Sequence, residues 1–132
     1  MRAINKTMTN GEIYSYAVGL VNGFNNDNEI YFPAAVNFSI QKNKALFTEI
    51  AEEIEKGRMG IIQHYSTDTD GENFTIDPKD VDKANKELSD LLAITQDIKI
   101  YTFNIEDIND VKLTSTQMQA IMFMIAEDEE IE

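Results

Sequence analysis

One apolar stripe, long enough to fill a long helix, constrains the fold of this chain more than any other feature. After Val36, its positions alternate spacings of four and three residues: Ile40, Asn43, Phe47, Ile50, Ile54, Gly57 and Ile61. Residues at this spacing share one helix face, and Pro33 suits the first helical position because its missing N–H would have no helical partner there. The pattern predicts a helix over residues 33–65. We call these seven positions the seam, and another helix or another chain must cover it.

Two kinds of residue interrupt the apolar character of the seam. Asn43 stands at an otherwise apolar position, where a buried asparagine fixes register or oligomeric state and an exposed one marks a crossing open to water. Gly57 and the nearby Gly60 each cost about 1 kcal/mol against alanine in a helix interior. They predict either a kink or a close helix crossing that only glycine allows. We expect the seam to mediate contact with a protein partner.

A second helix repeats the spacing of the seam. Asp77 suits the N-cap of a helix, and Pro78 suits its first position. The apolar positions that follow are Val81, Ala84, Leu88 and Leu91. Only residues 66–76 separate this helix from the first, so an antiparallel helical hairpin is the economical topology.

Flanking helices are predicted at both ends of the chain. Thr9 and Glu12 have capping-box spacing before a helix over residues 10 to about 24. Thr114 and Gln117 have the same spacing before a helix that runs to about residue 126. That last helix is apolar on two sides, so it is either sandwiched or offers an adaptable surface to a partner. The candidates for this surface are Met118, Met122, Phe123 and Met124.

Residues 97–103 alternate and are rich in β-formers, which predicts a strand, and residues 111–113 are a candidate for a second. The fold class that follows is α+β and mostly helical. It consists of a long antiparallel helical hairpin with flanking N- and C-terminal helices and one or two short β-strands, in a single domain over residues 1–132. Residues 1–8 are interpreted as a mobile arm or as a segment before a start at Met8.

The chain is strongly acidic, with 24 acidic against 11 basic residues and a net charge of −13. This charge disfavours direct binding to nucleic acid or to an anionic membrane. The acids concentrate in a loop that contains Asp68, Asp70 and Glu72 and in an acidic tail, residues 127–132. These segments are either a solvated surface or a site for a basic partner.

No constellation for catalysis or cofactor binding is evident. There is no cysteine, and we expect the single histidine, His64, to have a structural or surface role. The run Asp68-Thr69-Asp70-Gly71-Glu72 resembles part of a calcium loop, but an Asp-Gly turn explains it better. No apolar run approaches the ~20 residues that span a bilayer. We therefore expect a cytoplasmic protein that is not an enzyme and has no cofactor or metal.

Several short motifs carry a family resemblance. They are Gln41-Lys42-Asn43-Lys44, Arg58 with Ile61-Ile62 and Tyr65, the acidic Asp-Gly turn, Ala84-Asn85-Lys86-Glu87-Leu88, and Leu113-Thr114 with Gln117 and Ile121. Over most of residues 33–125 the chain resembles small tailed-phage and prophage proteins of unassigned function. The resemblance implies an origin in a phage or mobile element and expression inside a bacterial host cell or presence in a virion. It implies no reaction.

Two functions follow as hypotheses. The first is a phage-encoded protein-interaction module, an assembly accessory or minor virion component that forms a homo-oligomer and contacts a phage or host protein. The alternative is an anti-defence inhibitor whose acidic loop and tail occupy a host nucleic-acid-binding or signalling protein. A variant of the alternative sequesters a signalling nucleotide with Arg58 and Lys99.

Overall fold

The structure, a computed structural model, describes residues 2–24, 30–66 and 75–126. Within these ranges four α-helices accompany a two-stranded antiparallel sheet, which confirms the mostly helical α+β prediction. The elements in chain order are β1 (Arg2–Thr9), α1 (Asn10–Gly23), α2 (Ala34–Tyr65), α3 (Val81–Ala93), β2 (Thr95–Thr102) and α4 (Ser115–Ile121). Short 3₁₀ turns lie before α3 at Pro78–Asp80, between β2 and α4 at Ile105–Ile108, and after α4 at Met122–Met124.

Both predicted capping boxes form. The Glu12 N–H donates to Thr9 Oγ1 at 3.1 Å, and the Thr9 N–H donates back to Glu12 Oε1 at 3.0 Å. Thr114 and Gln117 exchange the same pair of hydrogen bonds at 3.1 and 3.0 Å. Each box satisfies backbone donors that have no partner inside the helix, so both helices begin where the sequence predicts.

The last helix is shorter than predicted. α4 ends at Ile121, and after the 3₁₀ turn Met122–Met124 the backbone pairs with Phe103, the residue that follows β2. Phe103 N–H donates to Met124 C=O at 3.0 Å, and Ala126 N–H donates to Phe103 C=O at 2.8 Å. These two bonds replace the helical bonds that a continuation to residue 126 would make.

α2 and α3 form the predicted antiparallel hairpin. Gly57 of α2 lies against Leu91, and Tyr65 at the end of α2 forms a hydrogen bond with Glu87. Later residues of α2 therefore contact earlier residues of α3, as in an antiparallel pair. A Cβ on Gly57 would lie 3.3 Å from Leu91 Cδ2, so the close-crossing interpretation of this glycine is correct. At Gly60 the same atom would meet nothing within 4 Å.

The sheet corrects the interpretation of the N-terminus. Residues 2–8, interpreted as part of an arm, belong to β1, which pairs with β2 along its whole length in the register Ile4↔Ile100. Residues 111–113 form no strand. Only Ile4 and Met8 mark the inner face of β1, because Lys6 interrupts the alternation, and this pattern is too short to identify a strand from sequence.

The hydrophobic core has two clusters of buried residues along α2. One cluster contains Leu20, Phe32, Val36, Ile40, Phe103, Ile108, Ala120, Ile121 and Met124. The other contains Met8, Ile13, Ala17, Phe47, Ile50, Ile54, Ile98 and Ile100. Phe123 packs against both clusters, with its ring 5.2 Å from Phe47 and 4.4 Å from Tyr16 between centroids.

Asn43 lies between the clusters in sequence and is fully buried. Its Nδ2 donates to Tyr101 C=O at 2.8 Å, and its Oδ1 accepts from Tyr101 N–H at 2.9 Å. The Asn43 amide therefore makes the two hydrogen bonds that a neighbouring strand would make to Tyr101 on this edge of β2. It fixes the position of the sheet on α2, so the buried alternative for Asn43 is correct, although the sequence pattern did not indicate that its partner is a strand.

Candidate partner-binding surfaces

The seam lies inside the chain. Ile40, Asn43, Phe47, Ile50 and Ile54 are buried, and Gly57 and Ile61 are half-buried. α1, α3 and β2 all pack against α2, so another chain is not required to cover these positions. Of the two expected covers, another helix or another chain, the first is therefore correct, and the expectation that the seam contacts a protein partner is wrong because α1, α3 and β2 bury it.

The C-terminal residues are also mostly internal. Met124 is fully buried, Met118 and Phe123 are half-buried, and Met122 alone of the four is exposed, at 58% of its surface. The 3₁₀ turn places consecutive apolar residues on several sides of the chain, so they reach the core and do not form one external face. The expected methionine surface is reduced to Met122.

The predicted acidic site lies outside the described residues. This holds for Asp68, Asp70 and Glu72, for the whole Asp-Gly turn and for the acidic tail, residues 127–132. Asp77, at the end of the loop, caps the turn before α3 and accepts a hydrogen bond from Lys79 N–H at 3.1 Å.

The described surface has an apolar depression between α1 and α2. Its volume is about 360 Å³, and its lining is Tyr14, Ala17, Val18, Val21, Asn22, Thr48, Ala51, Glu52 and Glu55. A second depression of about 260 Å³ continues from it towards α3, with the lining Tyr14, Ile54, Glu55, Arg58, Leu88, Leu91 and Leu92. The two share Tyr14 and Glu55 and together form what we call the trough.

The trough exists because α1 is apolar on more than its core face. Ala17 is buried, but Val18 and Val21 are 43% and 46% exposed on the open side of the helix. Ala17 and Ala51 are too small to fill the space between α1 and α2. At the other end Leu92 is 44% exposed. The sequence pattern shows these apolar residues, but only the helix packing shows that they share a groove.

A polar network lies where the two depressions meet. Arg58 donates to both carboxylate oxygens of Glu55, with Nε 3.0 Å from Oε2, and Tyr14 OH donates to Oε2 at 3.4 Å. The hydrogen bond from Arg58 holds the pKa of Glu55 below its ordinary value. Arg58 is thereby neutralised in place. The neighbouring Glu52 has no hydrogen-bond or ion-pair partner among the described residues, so the rim of the trough carries an unbalanced negative charge.

The sheet presents a different kind of surface at β1. Tyr101 directs its N–H and C=O to Asn43, so its partner Ala3 directs its own groups away from β2. Alternation along the strand gives Asn5 and Thr7 the same orientation. No described residue bonds to these six backbone groups, and all three residues are exposed. We call them the open edge.

The remaining titratable residues of the described ranges lie apart from the trough. No three His, Asp or Glu side chains in these ranges are grouped so that they could hold a metal ion. His64 is exposed, and its ring lies 4.8 Å from that of Tyr65. Lys99 lies over the ring of Tyr101, at 5.3 Å from its centroid. No helix in the described part of the chain is both long enough and apolar enough to cross a membrane.

Comparison with known proteins gives no relative: no protein-family model, curated protein or solved structure matches this chain.

Proposed function

We propose that this chain is a non-enzymatic, phage-encoded protein-interaction module that serves as an assembly accessory or minor virion component. The observation that carries the proposal is the trough. Exposed apolar side chains line its two adjoining depressions. Such grouped side chains are typical of protein contact sites, whereas isolated ones are ordinary on any surface.

The shape and lining of the trough favour a macromolecule over a small ligand. Small-molecule sites are concave pockets in which a few polar groups converge to orient the ligand. Here Tyr14 and Arg58 both bond to Glu55, and most of the remaining lining is an open slope of aliphatic side chains from three helices, with Asn22, Thr48 and Glu52 as its other polar residues.

The proposal is tested by affinity capture from infected host cells in low and moderate salt, with the captured proteins identified by mass spectrometry. Wild-type protein and a Val18→Glu variant, which places a carboxylate in the trough, are compared directly. We expect capsid, portal or tail proteins with the wild type and their loss with the variant. Capture that does not depend on Val18 would contradict the proposal.

The net charge of −13 favours a second candidate, the acidic anti-defence inhibitor. In that case a host nucleic-acid-binding protein should be captured in low salt and lost in moderate salt, since screening weakens such contacts. Neutralising the loop with Asp68→Asn, Asp70→Asn and Glu72→Gln distinguishes the candidates. The inhibitor loses its target, and the assembly protein keeps its partners.

The proposal includes self-association, but through a different surface from the predicted seam. The seam is internal, so the open edge of β1 is the better candidate for contact with a second copy. An antiparallel pair of β1 strands centred on Asn5 sets Ala3 of one copy opposite Thr7 of the other. All six outward backbone groups of each strand then find partners.

A further inference from the structure

We infer that the trough binds one amphipathic helix of a partner protein, about three turns long, with an aliphatic face and lysine or arginine on its flanks. This inference rests on the proposed function, because it names the partner chemistry of the same site. It follows from the shape, the lining and the charge of the trough.

The shape fits a helix because both long walls are helices with matching rows of side chains. α1 contributes Tyr14, Ala17, Val18, Val21 and Asn22, and α2 contributes Thr48, Ala51, Glu52 and Glu55. Apart from Asn22, each row has spacings of three, one and three. Rows of this kind form the grooves into which the side-chain ridge of another helix packs. From Thr48 to Arg58 the trough follows α2 for ~15 Å, which is the length of about three helical turns.

The lining also argues against an added β-strand as the occupant. A bound strand needs free backbone N–H and C=O groups along the site, but the walls are helices whose internal backbone groups already bond to one another. Aliphatic contact is what the walls offer, through Val18, Val21 and Leu92. A partner helix meets them with apolar residues at spacings of three and four, which lie on one face.

The charge selects a basic helix. Arg58 is the one basic residue of the lining, and Glu55 already neutralises it. Glu52 remains as an unpaired rim carboxylate, and the chain as a whole carries −13. A second copy of this acidic chain is a poor occupant for the same reason, since like net charges repel on approach.

The test uses a fluorescein-labelled peptide of about 18 residues with leucine on one helical face and lysine on the other. Fluorescence anisotropy measures its binding to the full chain at ~0.15 M salt, where long-range attraction is largely screened. A scrambled peptide of identical composition keeps the charge and removes the apolar face. We expect the patterned peptide to bind at least about tenfold more tightly than the scrambled one.

Two variants separate docking from general charge attraction. Val18→Glu makes the protein more acidic, so attraction alone would tighten binding of a basic peptide, whereas docking in the trough predicts a loss of about tenfold. Val81→Glu is the matched control, because Val81 is 38% exposed on α3 and is not part of the trough lining. Thermal melts by circular dichroism establish that each variant folds, and Leu92→Glu replaces Val18→Glu if that variant does not.

The outcomes distinguish the inference from the proposed function. Equal binding of the patterned and scrambled peptides overturns the inference, as does a trough variant that binds like the Val81→Glu control. An equally tight peptide with glutamate in place of lysine overturns the choice of a basic partner. If the inference fails while capture from infected cells still depends on Val18, the trough is a contact site for another kind of protein segment. If that dependence is also absent, the proposed function fails.

Discussion

At the scale of single residues, Asn43 is the side chain that joins the long helix to the sheet by hydrogen bonds. It is fully buried and bonds to both backbone groups of Tyr101. Asn43→Ala leaves these groups without partners in the core and creates a cavity. We expect the free energy of unfolding to fall by about 3 kcal/mol, measured by urea denaturation.

The control for this prediction is Asn37→Ala, on an exposed position of the same helix. It should change stability by less than about 0.5 kcal/mol, as surface substitutions do. Similar losses in the two variants would show that the amide pair with Tyr101 contributes nothing specific.

Glu12 gives a prediction about pH at the same scale. Its carboxylate accepts the Thr9 N–H bond of the capping box, and this bond holds the pKa of Glu12 below its ordinary value. A carboxyl whose pKa is lower in the folded state stabilises the fold above its unfolded pKa, and this contribution disappears as the pH falls through the folded pKa. The melting-temperature difference between wild type and Glu12→Ala should therefore be largest near neutral pH and should shrink as the pH falls below the ordinary glutamate pKa and through the lower folded one.

Glu53→Ala is the comparison for this pH series, because Glu53 is exposed on α2 and makes no described hydrogen bond or ion pair. Its melting temperature should follow that of the wild type across the range. A Glu12→Ala difference that stays constant with pH would contradict the assignment of the stabilisation to the ionised carboxylate.

At the scale of elements, the two glycines of α2 form a matched pair. Alanine is favoured over glycine in a helix by about 1 kcal/mol. At Gly60 an added methyl meets open space, so Gly60→Ala should gain about this amount. At Gly57 it meets Leu91 at 3.3 Å, and the displacement of that side chain offsets the gain.

Chemical denaturation of both variants tests the crossing of α2 and α3. Gly57→Ala should be less stable than Gly60→Ala, and the double variant should be additive, because Gly60 has no contact with Leu91. An equal gain at both positions would mean that the helices do not approach closely at Gly57.

The elements also show which parts of the fold the sequence predicts. Helix starts are local events, so the Thr9–Glu12 and Thr114–Gln117 pairs located them correctly. The strand pairing is not local: the paired residues of β1 and β2 are 86 to 100 positions apart in sequence, and β1 carries only a short apolar alternation. Likewise the position at which α4 ends depends on the bridge between Ile125 and Phe103. Phe103 is distant in sequence, so the residues near the end of α4 do not predict this bridge.

At the scale of the whole molecule, the candidate contact site is the trough and not the predicted seam, because burial is a property of the assembled chain. The seam was correctly recognised as a surface that must be covered, but its length gave no information on whether the cover is internal. Three elements of the same chain cover it, and this arrangement leaves Val18 and Leu92 on the outside. The apolar residues available to a partner are those that the longest pattern did not include.

The open edge of β1 yields a prediction about the oligomer. If two copies pair through β1, sedimentation velocity should detect a dimer, and Asn5→Pro should convert it to a monomer. Asn5 lies opposite Lys99 in a pair whose backbone groups point away from each other, so its N–H does not contribute to the β1–β2 ladder. Proline there removes an outward donor and leaves the internal ladder bonds in place.

Asn5→Ala is the control, because it removes the side chain and keeps the backbone N–H, and it should remain dimeric. Salt provides an independent check: each chain carries −13, so screening should strengthen self-association as ionic strength rises. A dimer that survives Asn5→Pro would place the contact elsewhere, and a monomer at every concentration would exclude pairing through this strand. A dimer that weakens in salt would instead require an attractive charge contact, which two copies of β1, with Arg2 and Lys6 as their only charged residues, do not provide.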